Sequence, residues 1–393
     1  MTTLFAGGAL FDGKGAMLDG MAMLVEDGRI ARLAPKDEFD GYAGAVVDTA
    51  GATVLPGLTD CHVHLCYQGS ADPVATLSKQ SDADIAVIAL RNAQHSLRRG
   101  ITGLRDCGGK NYLEFAARDA IRKGLFVGPT IHAAGRMICM TGGHGNQHGR
   151  VADGRDEVVK AVREQIHANC DLIKIMATGG VMTPGVNPED AHYSAEEIAA
   201  GIAESRRFGK RSASHAQGTE GILNAVRGGI DSIEHGIFMD DDCVREMIAG
   251  GIYLVPTISA IQNILRHADA GIPDYVVAKT RRVEQVHRDS LRAYYQAGGK
   301  IAMGTDAGTP FNLHGDNARE LAYMVDYGMS AQDALAAACF GGADLMGDGG
   351  RGVLAEGAAA DLLVVNADPL ADIAMAADRA NHRAVYKDGV LVE

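Results

Sequence analysis

Eight short apolar runs recur between about residue 55 and residue 345, each followed by a helical pattern before the next begins. The runs are "GLTDCHVHL", "GITGLRDCG", "TIHAAG", "DLIKIMA", "KRSASHA", "GIDSIEHG", "GIYLVPT" and "KIAMGTD". Between them lie amphipathic stretches such as "DADIAVIALRNAQHSLRRG", "DEVVKAVREQIHANC" and "SAEEIAAGIAESRRFGK". Several of these end in a glycine stop just ahead of the next run, the expected chemistry of a helix end. Eight strand–helix units over roughly 250 to 300 residues predict an α/β protein built on a (β/α)8 barrel. An open doubly wound sheet would carry a Gly-rich phosphate loop after its first strand, and here that strand ends in "HVHL".

The two chain ends have a different texture. "TLFAGGALFDG", "MAMLVEDGRIARLAP" and "AVVDTAGATVLPG" are short apolar runs broken by DG and Gly-rich turns, and "RGVLAEGAAADLLVVNADPL" and "HRAVYKDGVLVE" repeat the pattern at the far end. Neither end is long enough for a comfortable domain alone. The expectation is one small β-sandwich assembled from residues 1–54 and 347–393, beside a catalytic barrel of residues 55–346.

Composition narrows the partners. A formal charge of −13 and no long Lys/Arg run argue against nucleic acid. No run of about 18 apolar residues occurs, so no membrane span is expected. The seven cysteines are scattered without CxxC spacing, which indicates neither a zinc knuckle nor a redox pair. With no signal-peptide pattern at the start, a cytoplasmic location is expected.

Catalytic groups of such a barrel sit at the C-terminal ends of its strands. Read that way, the first strand ends at His62 and His64, whose spacing of two puts both rings on one face. The fourth carries Lys174, the fifth ends at His215, the sixth at His235 and the eighth at Asp306. Each alone has a bland explanation: a satisfied core histidine, a lysine reaching out to the rim, an aspartate capping a helix. Six on the same ends of five strands make a set that independent bland causes do not produce.

With these motifs the sequence resembles the amidohydrolase superfamily over nearly the whole chain. Within it, "TGGHGNQHG", "KIMATGGVMTPG", "HAQG" and "IEHG" are most similar to the imidazolonepropionase-related branch of metal-dependent dipeptidases and N-acyl-amino-acid hydrolases. The resemblance implies two divalent ions, expected to be zinc: one held by His62, His64 and Asp306, a second by His215 and His235. Lys174 is then carboxylated by CO2 and bridges them as an anion. It implies a metal-activated hydroxide attacking an amide carbonyl, with Asp306 moving the proton and His144 polarising the carbonyl. The expected activity is hydrolysis of a peptide-type bond in a dipeptide or N-acyl amino acid, and the alternative is a cyclic amide, carbamate or ochratoxin-like xenobiotic amide. A homo-oligomer acting on a small molecule is expected.

The loop after the third strand, "RMICMTGGHGNQHGR", carries Arg136, His144, His148 and Arg150. An arginine here is expected to meet a substrate carboxylate with bidentate geometry. Tyr193 and Gln217 are further substrate-contact candidates. Ser194, followed three residues later by Glu197, reads as a helix cap rather than a pocket residue.

Overall fold

The computed structural model describes residues 2–393. Eight parallel strands, numbered β1 to β8 in chain order, form the barrel. They are β1 Leu58–Val63, β2 Ile101–Asp106, β3 Thr130–Ala133, β4 Leu172–Met176, β5 Arg211–Ala216, β6 Ser232–His235, β7 Tyr253–Val255 and β8 Lys300–Ile301. Neighbours pair in parallel from β1 to β3 and from β4 to β8. The bond from Asp171 N–H to Ala133 O, 2.9 Å, joins β3 to β4.

Regular pairing of β8 lasts only two residues, and the segment after it closes the ring. Cys61 N–H donates to Met303 O at 2.8 Å, Asp306 N–H to His62 O at 2.7 Å and His64 N–H to Ala307 O at 2.9 Å. Closure therefore draws Asp306 directly against the two β1 histidines.

The strands are buried on both faces, as parallel strands covered by helices must be. β1, β2 and β4 are buried at every position. The helices present one apolar stripe each. Helix Ala195–Arg207 buries Ile198, Gly201 and Ile202, and its N-terminus is closed by the reciprocal Ser194–Glu197 box that the sequence predicts. One large core runs through barrel and helices, from Leu58 and Leu104 to Ile173, Ile233, Leu254 and Leu321.

Strands from both chain ends build two further sheets. One is four-stranded, made of Arg29–Pro35, Met21–Glu26, Thr2–Ala6 and Ala45–Asp48 in that spatial order. The other is six-stranded and sets Leu362–Asn366 from the tail against Ala52–Pro56 from the head. Phe5, Leu10, Met23, Val54, Leu362 and Val364 form their shared core. Ala52–Pro56 runs into β1 through Gly57, where a Cβ would lie 2.2 Å from Thr102 Oγ1. Only glycine lets the chain pass this point.

Candidate metal centre and active site

His62 and His64 point into one cavity because alternate residues of a strand share a face. Their Nε2 atoms lie 3.5 Å and 3.2 Å from Asp306 Oδ1. His235 stands beside His62, with ring centroids 5.1 Å apart, and His215 beside His235 at 4.5 Å. Lys174 reaches the same cavity from β4 and is 1 % exposed. All six rim residues expected from the sequence line this one cavity.

Each imidazole is aimed by a bond from its other nitrogen. His62 Nδ1 lies 2.7 Å from Glu234 Oε2, His64 Nδ1 2.6 Å from Gly108 O and His235 Nδ1 2.6 Å from Thr257 Oγ1. His215 is oriented through Nε2, 2.8 Å from Gly179 O. Each ring thus keeps one nitrogen facing the cavity, the arrangement metal-ligating histidines require. Burial holds His62, His215 and His235 well below the ordinary imidazole range. They are neutral at pH 7, with a lone pair to donate. For His64 burial pushes down, but the Asp306 carboxylate beside it more than offsets that and holds it above the ordinary imidazole range.

Three strand ends depart from extended backbone. His235, Thr257 and Asp306 all take positive φ, at 73°, 54° and 60°. Strain of this kind in non-glycine residues collects at functional sites. Its use here is geometric, because the turn at His235 lets adjacent Glu234 and His235 both serve the site. Glu234 is fully buried beneath His62, where Arg105 donates to its Oε1 at 2.7 Å and Ser232 at 2.5 Å. Helix Ile258–Arg266 begins directly after Thr257. Its first N–H groups are taken by the Glu320 carboxylate, with Ile258 and Ser259 both donating at 2.7 Å.

The donor set fits divalent cations. Ligand atoms of His62, His235 and Asp306 lie within 4.8 Å of one another. Among the described residues, buried Lys174 Nζ has no hydrogen-bond partner, and neither has Asp306 Oδ1. A second cluster, His62 with Cys107 and Glu234, has similar spacing. Its carboxylate is already committed to Arg105 and Ser232, so the first is the better site.

His144 also lines the cavity, its Nδ1 2.7 Å from Thr183 Oγ1 and its ring 4.4 Å from that of His215. Burial pushes it down to about 3. Gln217 lines the cavity. The remaining substrate-contact candidates do not. Arg136 donates to the carbonyls of His148 and Gly149, where it ties the loop to itself. Arg150 is bound by Glu164 and Glu157. Tyr193 donates to Ala152 O at 2.6 Å and serves the core. His148 packs one layer out, its ring 6.4 Å from that of Tyr67. Arginine in a Gly-rich loop reads as a ligand clamp from sequence, yet here the guanidinium groups satisfy the loop's own carbonyls and nearby acids. On the other side the wall is apolar: Val181, Met182, Ile237, Ala260, Ile261 and Ile264.

Barrel, split β-sheets and this constellation define a class. The chain belongs to the amidohydrolase family, whose model matches residues 53–392, and it is a metal-dependent hydrolase of carbon–nitrogen bonds. Among individual proteins, it is 30 % identical over 424 aligned positions to ochratoxinase of Aspergillus niger, an alignment spanning 99 % of this chain and 86 % of that protein. A Xaa-Pro dipeptidase solved with methionine in its active site superposes with a TM-score of 0.92 at 33 % identity, covering 100 % of both chains. A prolidase complexed with N-methylphosphonate-L-proline gives 0.90 at 31 % identity, again over 100 % of both.

Proposed function

We propose that the protein is a binuclear amide hydrolase that cleaves the peptide-type bond of a dipeptide or N-acyl amino acid. The observation that carries this reading is Lys174 Nζ, buried beside four imidazoles and Asp306 with no hydrogen-bond partner among the described residues. A free ammonium there would repel cations, whereas a carboxylated lysine would be an anion fit to bridge two. His62, His64 and Asp306 would hold one ion, His215 and His235 the other. When bound, the ions supply Lewis-acid polarisation of the carbonyl and acidify a water.

The chain's own groups do the rest. Asp306, with both β1 imidazoles against its Oδ1, takes the proton of the attacking water and passes it to the leaving nitrogen. His144 is neutral, and in the tautomer in which Thr183 Oγ1 donates to its Nδ1, its Nε2 carries the proton and offers it to the substrate carbonyl oxygen. The apolar wall receives a bulky apolar group on one side of the scissile bond.

The second reading is a hydrophobic xenobiotic amide, and the observation favouring it is that neither Arg136 nor Arg150 reaches the cavity to meet a carboxylate. The relative named ochratoxinase points the same way. The test is a panel of dipeptides, N-acyl amino acids and neutral aryl amides, assayed with and without chelator. Chelator-sensitive turnover of the first two groups is expected. Turnover of aryl amides alone would favour the second reading, and no chelator-sensitive amide hydrolysis would reject both.

A further inference from the structure

One face of a single helix is given over to the loop that follows β4. Helix Asp274–Gln296 carries Tyr275, Lys279 and Arg282 at successive turns of one side. Tyr275 donates to Met182 O at 3.0 Å, and Arg282 pairs with Glu189 at 2.8 Å. Lys279 donates to three carbonyls, of Gly180 at 3.4 Å, Thr183 at 2.8 Å and Val186 at 2.6 Å. An ammonium has three protons and no acceptor, so three converging carbonyls satisfy it fully. Without it, those carbonyls would face one another as like dipoles with no donor between them.

The loop so gathered is closed at its base by Gly179 N–H donating to Asp190 O at 2.9 Å. Within it sit the atoms that aim two active-site histidines. Gly179 O holds His215 Nε2 and Thr183 Oγ1 holds His144 Nδ1. Gly180 touches the His144 ring itself: a Cβ there would lie 2.7 Å from Nε2. Val181 and Met182, between them, line the cavity. A displacement of this backbone would move the His144 partner, the His144 ring and part of the substrate wall together.

We propose that Lys279 is a positioning residue for the hydrolysis, acting through the carbonyls of residues 180–186 to hold Thr183 and thereby His144 in register with the substrate carbonyl. The proposal rests on the role given above to His144. Lys279 itself touches neither substrate nor ion. Among the described residues, its ammonium is the side-chain group that hydrogen-bonds the backbone on both flanks of Val181 and Met182.

The test combines a structural and a kinetic readout on the metal-loaded, full-length protein. Lys279→Met should raise amide hydrogen exchange in segment 179–187 while exchange in the barrel strands and the bound metal content stay as in wild type. It should lower kcat by up to about 100-fold, the cost of roughly 1 Å of misplacement. In a double-mutant cycle Lys279→Met should add nothing to His144→Asn, since both remove one device. Multiplicative losses in the cycle, or unchanged exchange in 179–187, would overturn the proposal. If Lys279→Met does not fold, Lys279→Arg and Tyr275→Phe enter the same cycle and the same criteria apply. If the wild-type protein hydrolyses no amide, the proposed function fails, while loop exchange still reports whether the clamp exists.

Discussion

Glu234→Gln is the substitution whose consequences the structure fixes most fully. The side chain has no solvent exposure and spends both oxygens, one 2.7 Å from His62 Nδ1 and the other accepting from Arg105 and Ser232. Glutamine preserves the shape and removes the charge. Arg105, 2 % exposed, then loses its counter-ion, and breaking a buried pair in this way costs about 3–5 kcal/mol. Arg105 retains Cys61 O at 2.6 Å and Ser232 Oγ at 3.0 Å, which points to the lower end, about 3 kcal/mol. His62 separately loses the carboxylate that fixes its tautomer, worth about 10- to 100-fold in metal affinity. Denaturant unfolding of the metal-free protein reads the first effect, and competition with a chromophoric chelator reads the second. Adding Arg105→Met should recover much of the stability and none of the metal affinity. Metal affinity unchanged in Glu234→Gln would refute the reasoning, for it would mean that Glu234 serves Arg105 alone.

Other expectations concern the surroundings of the site. Burial, against the carbonyls of His235 and Pro256, holds His287 down to about 4 from the ordinary 6.5. The unfolded chain therefore takes up a proton that the folded chain refuses, so stability is full above pH 6.5 and falls as pH drops toward 4. The loss from this group is about 3 kcal/mol, and His287→Asn should make that part of a denaturation series across pH shallower by about this amount, the other buried histidines still contributing. Glu320→Ala frees the first N–H groups of helix Ile258–Arg266 inside the protein, for a loss of about 2–4 kcal/mol by urea unfolding. Ile264→Ala, in the apolar wall, should lower kcat/KM for substrates with bulky apolar groups by about ten-fold or more and spare their glycine counterparts, as a side-chain substrate series would show.

The barrel and the convergence of the rim residues on one cavity were legible because they rest on periodicities. Strand–helix alternation gave the fold, and the spacing of two at His62 and His64 gave one shared face. What stayed hidden depends on long-range contact. Glu234 is visible in "SIEHG" as an acid in an apolar strand, but strict alternation puts it opposite His235. Only the positive φ at His235 brings both to one site, and no local pattern announces that. Arg105 carries the same faint signal, a charge inside an apolar run, whose partner lies 129 positions away. The loop arginines misled for the converse reason. Arg136 and Arg150 have the chemistry of carboxylate recognition, and their occupation by local carbonyls and acids is a matter of packing.

Metal stoichiometry against activity, in the wild type and in Lys174→Ala, tests the proposed binuclear site most directly. The protein purified with zinc and bicarbonate should hold two ions per chain, and Lys174→Ala should hold fewer and lose amide hydrolysis. One ion per chain, with Lys174→Ala fully active, would contradict it.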